Sequence, residues 1–155
     1  MSKTNAVRIL DSHNISYSLN TYEVDENDLT GTTVALKIGA DPDSVFKTLV
    51  AEGDKTGNLV FCIPTTQELN LKKAAVVSGN KKVELIKVKD LLNLTGYIRG
   101  GCSPIGMKKK FPAYIDETAQ LFEQIYVSAG IRGMQVKVAP AQLASLIEAQ
   151  FCDLI

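Results

Sequence analysis

The sequence predicts a mixed α+β fold, with a mixed sheet and helices around it, and three observations carry that reading. Some segments repeat their apolar residues at helical spacing while others alternate, so both kinds of element are present. The two kinds are interleaved without a regular strand–helix–strand rhythm, so the sheet is expected to be mixed. No linker, internal repeat or low-complexity tract interrupts the 155 residues, of which 45% are hydrophobic, so residues 1–155 read as one domain with a core of its own.

Each element has its own signal. Residues 3–13 place Ala6, Val7 and Leu10 on one helical face, behind Ser2 as the cap. Residues 16–23 alternate as a strand, and residues 32–38 form a short helix closed by Gly39. Asp41 and Pro42 open a further turn in cap-then-first-position order. Strands at 45–52 and 59–63 flank GDKTGN, the turn of a hairpin. Asn70 caps a helix over 71–78 with Gly79 beyond its end, and a second helix covers 88–93. Strands follow near 96–99, 113–116, 124–128 and 134–138, and a last helix runs from Pro140 to about Phe151.

Charge and cysteine usage limit the function classes. Lys+Arg and Asp+Glu balance at 17 each, so the whole molecule has no reason to coat nucleic acid or membrane. Anion recognition must be local, and the lysine pairs at 72–73 and 81–82 with the run Lys108, Lys109 and Lys110 are the candidates. Cys62, Cys102 and Cys152 are odd in number and widely spaced, which suits neither a disulfide framework nor a zinc site. A reduced, cytoplasmic protein is expected. The opening MSKTNAVRILDSHN lacks the apolar run of a signal peptide, and no membrane partner is expected.

The standard catalytic templates fail. The only histidine is His13, near the end of the first helix, so any Ser-His-Asp or Cys-His site would have to use it. One histidine and scattered carboxylates offer no metal-ligand spacing, and neither metal nor cofactor is called for. The stretch RGGCSPIGMKKKFPAYID nearly spells a phosphate loop, with Gly101 and Gly106 separated by four residues. It then breaks the pattern: Met107 sits where the lysine belongs, Lys108 where Ser or Thr belongs, and Pro104 lacks an amide donor.

Two features remain. Strand alternation puts Lys47 on the face of Val45, Leu49 and Ala51, where a lysine either snorkels to an edge or serves as an electrostatic partner in a low dielectric. Gly100 and Gly101 follow the apolar segment GYIR, where adjacent glycines either make a tight turn or leave amides open to a carbonyl or phosphate.

The segments NTYE, SVFKTLV, GYIRGGCSPIGMKKKFPAYID and QIYVSAGIRG, in that order, together with the closing VAPAQLASLIEAQFCDLI, resemble the YbaK/EbsC family of aminoacyl-tRNA deacylases over essentially the whole chain. That family is related to the editing domain inserted in bacterial prolyl-tRNA synthetases, and the chain looks most similar to the YbaK branch, which clears cysteine from proline tRNA. The resemblance implies a single domain with a barrel-like sheet. It implies that Lys47 is the essential catalytic residue, that Tyr22 lines the substrate pocket, that Gly100 and Gly101 form its floor, and that Ser128 stands in the motif often written SGGKRG. Ser103, Pro104 and Gly106 of the same loop are then expected at the substrate. Here the motif reads SAGIRG, so Ala129 replaces a glycine and Ile131 a lysine, and Arg132 remains as the basic contact for tRNA or the loop. Cys102 also departs, since the family usually carries an aliphatic residue there.

An aminoacyl ester is already activated, so such an enzyme can work by positioning and charge stabilisation without a strong nucleophile of its own. In the YbaK branch the substrate's own thiol attacks its ester carbonyl and leaves as a cyclic thiolactone. On that pattern Gly100 and Gly101 amides hold the carbonyl oxygen, Lys47 meets the terminal adenosine or the developing charge, and Lys108, Lys109 and Lys110 with Arg132 meet the phosphates of the acceptor end. The partner is aminoacyl-tRNA, with prolyl-tRNA synthetase as a second. Two alternatives stand beside this one: removal of alanine from proline tRNA, and a noncatalytic module that binds tRNA or a nucleotide.

Overall fold

The computed structural model describes residues 3–155, in which five α-helices and eight strands alternate as a mixed α+β fold. A three-stranded sheet takes the order β1 (Tyr17–Thr21), β7 (Met134–Val138) and β6 (Ile125–Ser128), and both pairings are antiparallel. A five-stranded sheet takes the order β4 (Val83–Leu85), β2 (Phe46–Gly53), β3 (Gly57–Pro64), β5 (Ala113–Asp116) and β8 (Ala149–Cys152). It is mixed: β2 runs antiparallel to both β3 and β4, while β5 is parallel to β3 and to β8.

The sheets meet at one point, a parallel bridge between Val45 and Tyr126, and then part. They do not close into a barrel, which corrects the barrel-like expectation: β4 reaches β2 only at Ala51, Glu52 and Gly53. The edge of β2 between the bridge and β4 is therefore left without a strand beside it. Ile86 N–H donates to Val50 C=O at 3.1 Å, and the two-residue alternation turns the backbone of Phe46 and Thr48 to that same edge.

The core explains why β3 reads as an unbroken apolar run. Val60 and Cys62 face one cluster with Ala6, Val7, Leu10, Val127 and Val136, whereas Leu59, Phe61 and Ile63 face a second with Ala74, Ala75 and Leu154. A central strand buried on both faces loses the polar alternation of a half-solvated one. Helix α1 (Asn5–Ser12) supplies the first cluster and α3 (Leu71–Ser78) the second.

Helix boundaries follow from capping. Asn70 accepts from the amides of Lys72 and Lys73, both at 3.1 Å, and Gly79 ends α3 in the left-handed region. Asp41 caps the turn at Pro42–Ser44 as its sequence order predicts, and Gly39 closes α2 (Gly31–Ile38). Ser2, expected to cap the first helix, lies outside the described residues; the cap is Thr4, whose hydroxyl accepts from Val7 N–H.

Two expectations need correction, and one strand lies outside all of them. Residues 96–99 form no strand, because α4 (Val88–Thr95) runs on and is closed by Gly96 at φ 82°, after which the chain turns. The last helix, α5 (Pro140–Ile147), stops short of Phe151: Glu148 takes a left-handed φ of 54° and releases the chain into β8. The three-residue strand β4 carries too few residues to show an alternation, and was not anticipated.

Candidate active site

The gap where the sheets part opens into a cavity of about 550 Å³, walled by the start of β2, the end of β6, the start of β7, the segment from Asn27 to Gly31, and α4. Lys47, Tyr22, Gly100 and Ser128, four of the residues singled out by sequence, line it together. The bridge explains why Lys47 and Ser128 share the cavity. Val45 pairs with Tyr126 in parallel, and Lys47 and Ser128 each lie two residues beyond it, so strand alternation turns them to the same side, where both line the wall.

Lys47 is half-buried and, among the described residues, makes no ion pair. Burial lowers its pKa below the ordinary lysine value, with Glu68 opposing that shift from a distance. An ammonium held half out of water without a carboxylate partner is poised to bind an anionic or polarised oxygen. Ser128 is 7% exposed, and its oxygen accepts from Gly130 N–H at 3.1 Å, which leaves its hydroxyl proton free to donate.

The two glycines have different reasons. Gly100 has φ 85° and lines the cavity. Gly101 N–H donates to Ile98 C=O at 3.0 Å, closing a turn with Gly100 at its left-handed third position. The Gly101 amide is thus committed to the turn, and an amide pair open to the ligand is not what the backbone presents. Gly101 is required instead by close approach: a Cβ there would stand 3.1 Å from backbone atoms of Ile131 and Arg132.

Arg132 serves that same contact. Its Nε donates to Arg99 C=O at 2.8 Å and its guanidinium stands 3.9 Å from Glu26, so it ties the loop after β6 to the turn at Gly100. Ala129, where the family pattern has glycine, is fully buried and has no left-handed φ, so its methyl is accommodated without backbone strain. Ser103 is fully buried and accepts from Ile105 N–H at 3.2 Å, which makes it a support of the loop. Pro104 and Gly106 face away from the first cavity and line a second one of about 230 Å³, with Lys109 and Lys110 at its side. Lys110 is paired with Glu148, while Lys108 and Lys109 are exposed.

Cys102 lines the main cavity, but burial pushes its thiol up to about 12, and a hydrogen bond from Thr95 offsets this only in part. Cys62 behind it is also pushed up to about 12 by burial. Burial favours the protonated thiol in both, which suits Cys102 to a place in the apolar wall of the cavity. Gln135 is a lining residue that the sequence reading missed; it lies inside an apolar strand, and only the register of β7 against β6 brings it beside Ser128.

A half-buried cation beside a hydroxyl is an arrangement that can act by positioning and electrostatics on a substrate already primed to react. The chain belongs to the aminoacyl-tRNA editing domain family, whose model matches residues 26–146. It is 51% identical over 152 residues, 98% of this chain and 93% of the relative, to an Enterococcus faecalis protein that carries the provisional name Cys-tRNA(Pro)/Cys-tRNA(Cys) deacylase EbsC. A crystal structure provisionally described as a trans-editing enzyme for prolyl tRNA synthetase superposes with TM-score 0.82 at 25% identity, covering 99% of this chain and 98% of that one. A crystal structure described only as a hypothetical protein, 20% identical, has the same fold at TM-score 0.86, with 96% and 97% of the two chains covered.

Proposed function

We propose that this chain is a trans-editing deacylase that cleaves the ester of a mischarged aminoacyl-tRNA, with cysteine on proline tRNA as its substrate. The observation that carries the reading is the half-buried Lys47, without an ion pair among the described residues, on the wall of a cavity of about 550 Å³ that Ser128 also lines. That volume suits the end of a nucleotide chain with its amino acid. The 51% identical relative named for Cys-tRNA(Pro)/Cys-tRNA(Cys) supports the choice of cysteine.

The reaction needs no protein nucleophile. The substrate's thiol sulfur bonds to its own ester carbon, the bond from that carbon to the ribose oxygen breaks, and the thiol proton ends on the ribose hydroxyl. Free tRNA and a thiolactone leave. Negative charge gathers on the carbonyl oxygen in the transition state, where Lys47 and the Ser128 hydroxyl can meet it in a partly desolvated cavity. Tyr22 and Gly100 line the path along which the terminal adenosine would lie, and Gly101, Ser103, Pro104 and Gly106 hold the loop in shape.

Lys108 and Lys109, exposed on the chain leaving that loop, serve the tRNA backbone in this reading, as does the outer part of Arg132. The working compartment is the cytoplasm, where charged tRNA is found, and prolyl-tRNA synthetase is the protein partner from which misacylated tRNA would be received. Among the described residues no helix is long and apolar enough to cross a membrane.

The decisive experiment is a deacylation panel of cysteinyl-, alanyl- and prolyl-tRNA with wild type and Lys47→Ala. Release of cysteine by wild type, abolished in the variant, is the expected result. Binding of every member without release would overturn the reading in favour of a noncatalytic module, and preferential release of alanine would reassign the substrate.

A further inference from the structure

Gln135 and Asn20 stand opposite each other in the β1–β7 ladder, and Gln135 stands opposite Ser128 in the β6–β7 ladder. Three polar side chains thus form one row across three strands, on the face opposite the core residues Val127, Met134 and Val136. Lys47, two residues beyond the bridge on β2, lines the same cavity as Ser128 and Gln135.

Two atoms in this row are buried without a hydrogen-bond partner: Asn20 Nδ2, a donor, and Gln135 Oε1, an acceptor. An orphaned buried polar atom costs folding free energy, so such atoms call for a reason. Here the orphans are complementary and belong to directly paired residues, whose Cβ atoms in an antiparallel ladder are about 4.5–5.5 Å apart. A small adjustment of either side chain joins them. Gln135 is 6% exposed and lines the cavity. With its oxygen turned to Asn20, its two N–H groups are left for the cavity side.

We propose that Gln135 donates an amide hydrogen bond to the carbonyl oxygen of the substrate ester as negative charge develops there, and that Asn20 is the positioning residue that holds its amide in that sense. The assignment rests on the deacylase reading above and completes it. The turn at Gly100 has already consumed the Gly101 N–H, and Gln135, opposite Ser128 in the ladder, adds a neutral donor to Lys47 and the Ser128 hydroxyl. As the ester carbon takes on the sulfur, the carbonyl oxygen gains the charge of the broken π bond. It returns that pair when the ribose oxygen departs. Gln135 exchanges no proton in either step. A neutral amide suits this position next to Lys47, because a carboxylate there would pair with the ammonium and repel the oxyanion.

The test compares cysteinyl-tRNA deacylation by wild type, Gln135→Met, Gln135→Glu, Asn20→Ala and the double variant Asn20→Ala/Gln135→Met. Gln135→Met is expected to lower kcat about a hundredfold, as loss of one oxyanion donor does, with KM nearly unchanged. Gln135→Glu is expected to be as slow at neutral pH and to recover as pH falls through its carboxyl pKa, when the protonated group can donate again; the Met variant shows no such recovery. Asn20→Ala is expected to lower kcat less, and to add nothing to Gln135→Met. Full turnover by Gln135→Met, a loss confined to KM, or full additivity of the two substitutions would overturn the assignment. If Gln135→Met fails to fold by circular dichroism, the acid recovery of Gln135→Glu, or its absence, decides alone. Failure of the deacylase reading would look different, since wild type itself would then release no amino acid.

Discussion

Lys47 and Ser128 line one cavity from two different sheets, each two residues beyond the isolated bridge that ties those sheets together. A lysine on β2 and a serine at the end of β6 become one site because the backbone register stops just short of them. Fold and chemistry are joined at Val45 and Tyr126.

Lys47→Ala is expected to lower cysteinyl-tRNA turnover by at least about a hundredfold, the scale of losing a preorganised charge at a developing oxyanion. The fold should not suffer. Lys47 pays desolvation without an ion pair, so replacing it with Met should raise Tm by about 2–4 °C for each kcal/mol of that cost relieved. A fall in Tm together with retained turnover would contradict the assigned role.

The same desolvation sets a pH dependence. The folded pKa of Lys47 is lowered from 10.5, so between the folded value and 10.5 the unfolded chain binds the extra proton. Stability from this group therefore rises with pH across that window, while activity, which uses the charged form, falls. Wild-type kcat/KM should decline on the alkaline side before an ordinary lysine would titrate. Lys47→Arg should abolish that decline without restoring full rate, since a planar guanidinium does not replace a compact ammonium.

Cys102→Ala should retain turnover within about threefold, because a thiol pushed up to about 12 is protonated at neutral pH and fills space. Alkylation by iodoacetamide at pH 7 should be slow for the same reason. Loss of turnover in this variant with unchanged Tm would make the thiol a participant.

Gly101→Ala should lose stability and turnover together, since its methyl would meet the Ile131 and Arg132 backbone at 3.1 Å and neither chain can yield without moving the turn. Gly100→Ala should cost about 1–2 kcal/mol from its left-handed φ of 85°. Thermal melts and turnover on the two variants check this.

Lys108→Ala and Lys109→Ala should weaken tRNA binding alike for all sequences and reduce the slope of log K against log salt by about 0.7–0.9 each, as lost phosphate contacts do. Lys110→Ala should do less, because Lys110 is already paired with Glu148. An unchanged salt slope in all three would remove this segment from the tRNA surface.

Where the sequence carried a local cause, it was readable. Asn70 and Gly79 bracket α3, Asp41 and Pro42 make their turn, and the GDKTGN hairpin joins β2 to β3. What stayed hidden depends on partners distant in sequence. The end of α5 has no glycine or proline to announce it, because Glu148 takes the left-handed position itself and Lys110 pairs with it there. Gly96 was legible as a glycine but not as a helix end, since the apolar YIR beyond it mimics a strand. Lys47 was visible as an intruder on an apolar face, whereas Gln135 needed the register of three strands. The glycine pair was noticed for its freedom, yet Gly101 is there for closeness.

The parting of the two sheets has a consequence for the solution behaviour of the protein. A strand edge without a neighbour invites a strand from another molecule, the first step of aggregation. Here the open stretch of β2 at Thr48 lines a hollow whose other walls include α4 and the segment from Asn27 to Gly31, and those walls occupy the side on which a strand from a second chain would have to lie. An unpaired edge that lines a cavity is thereby screened from its own kind by the helix and loop across from it.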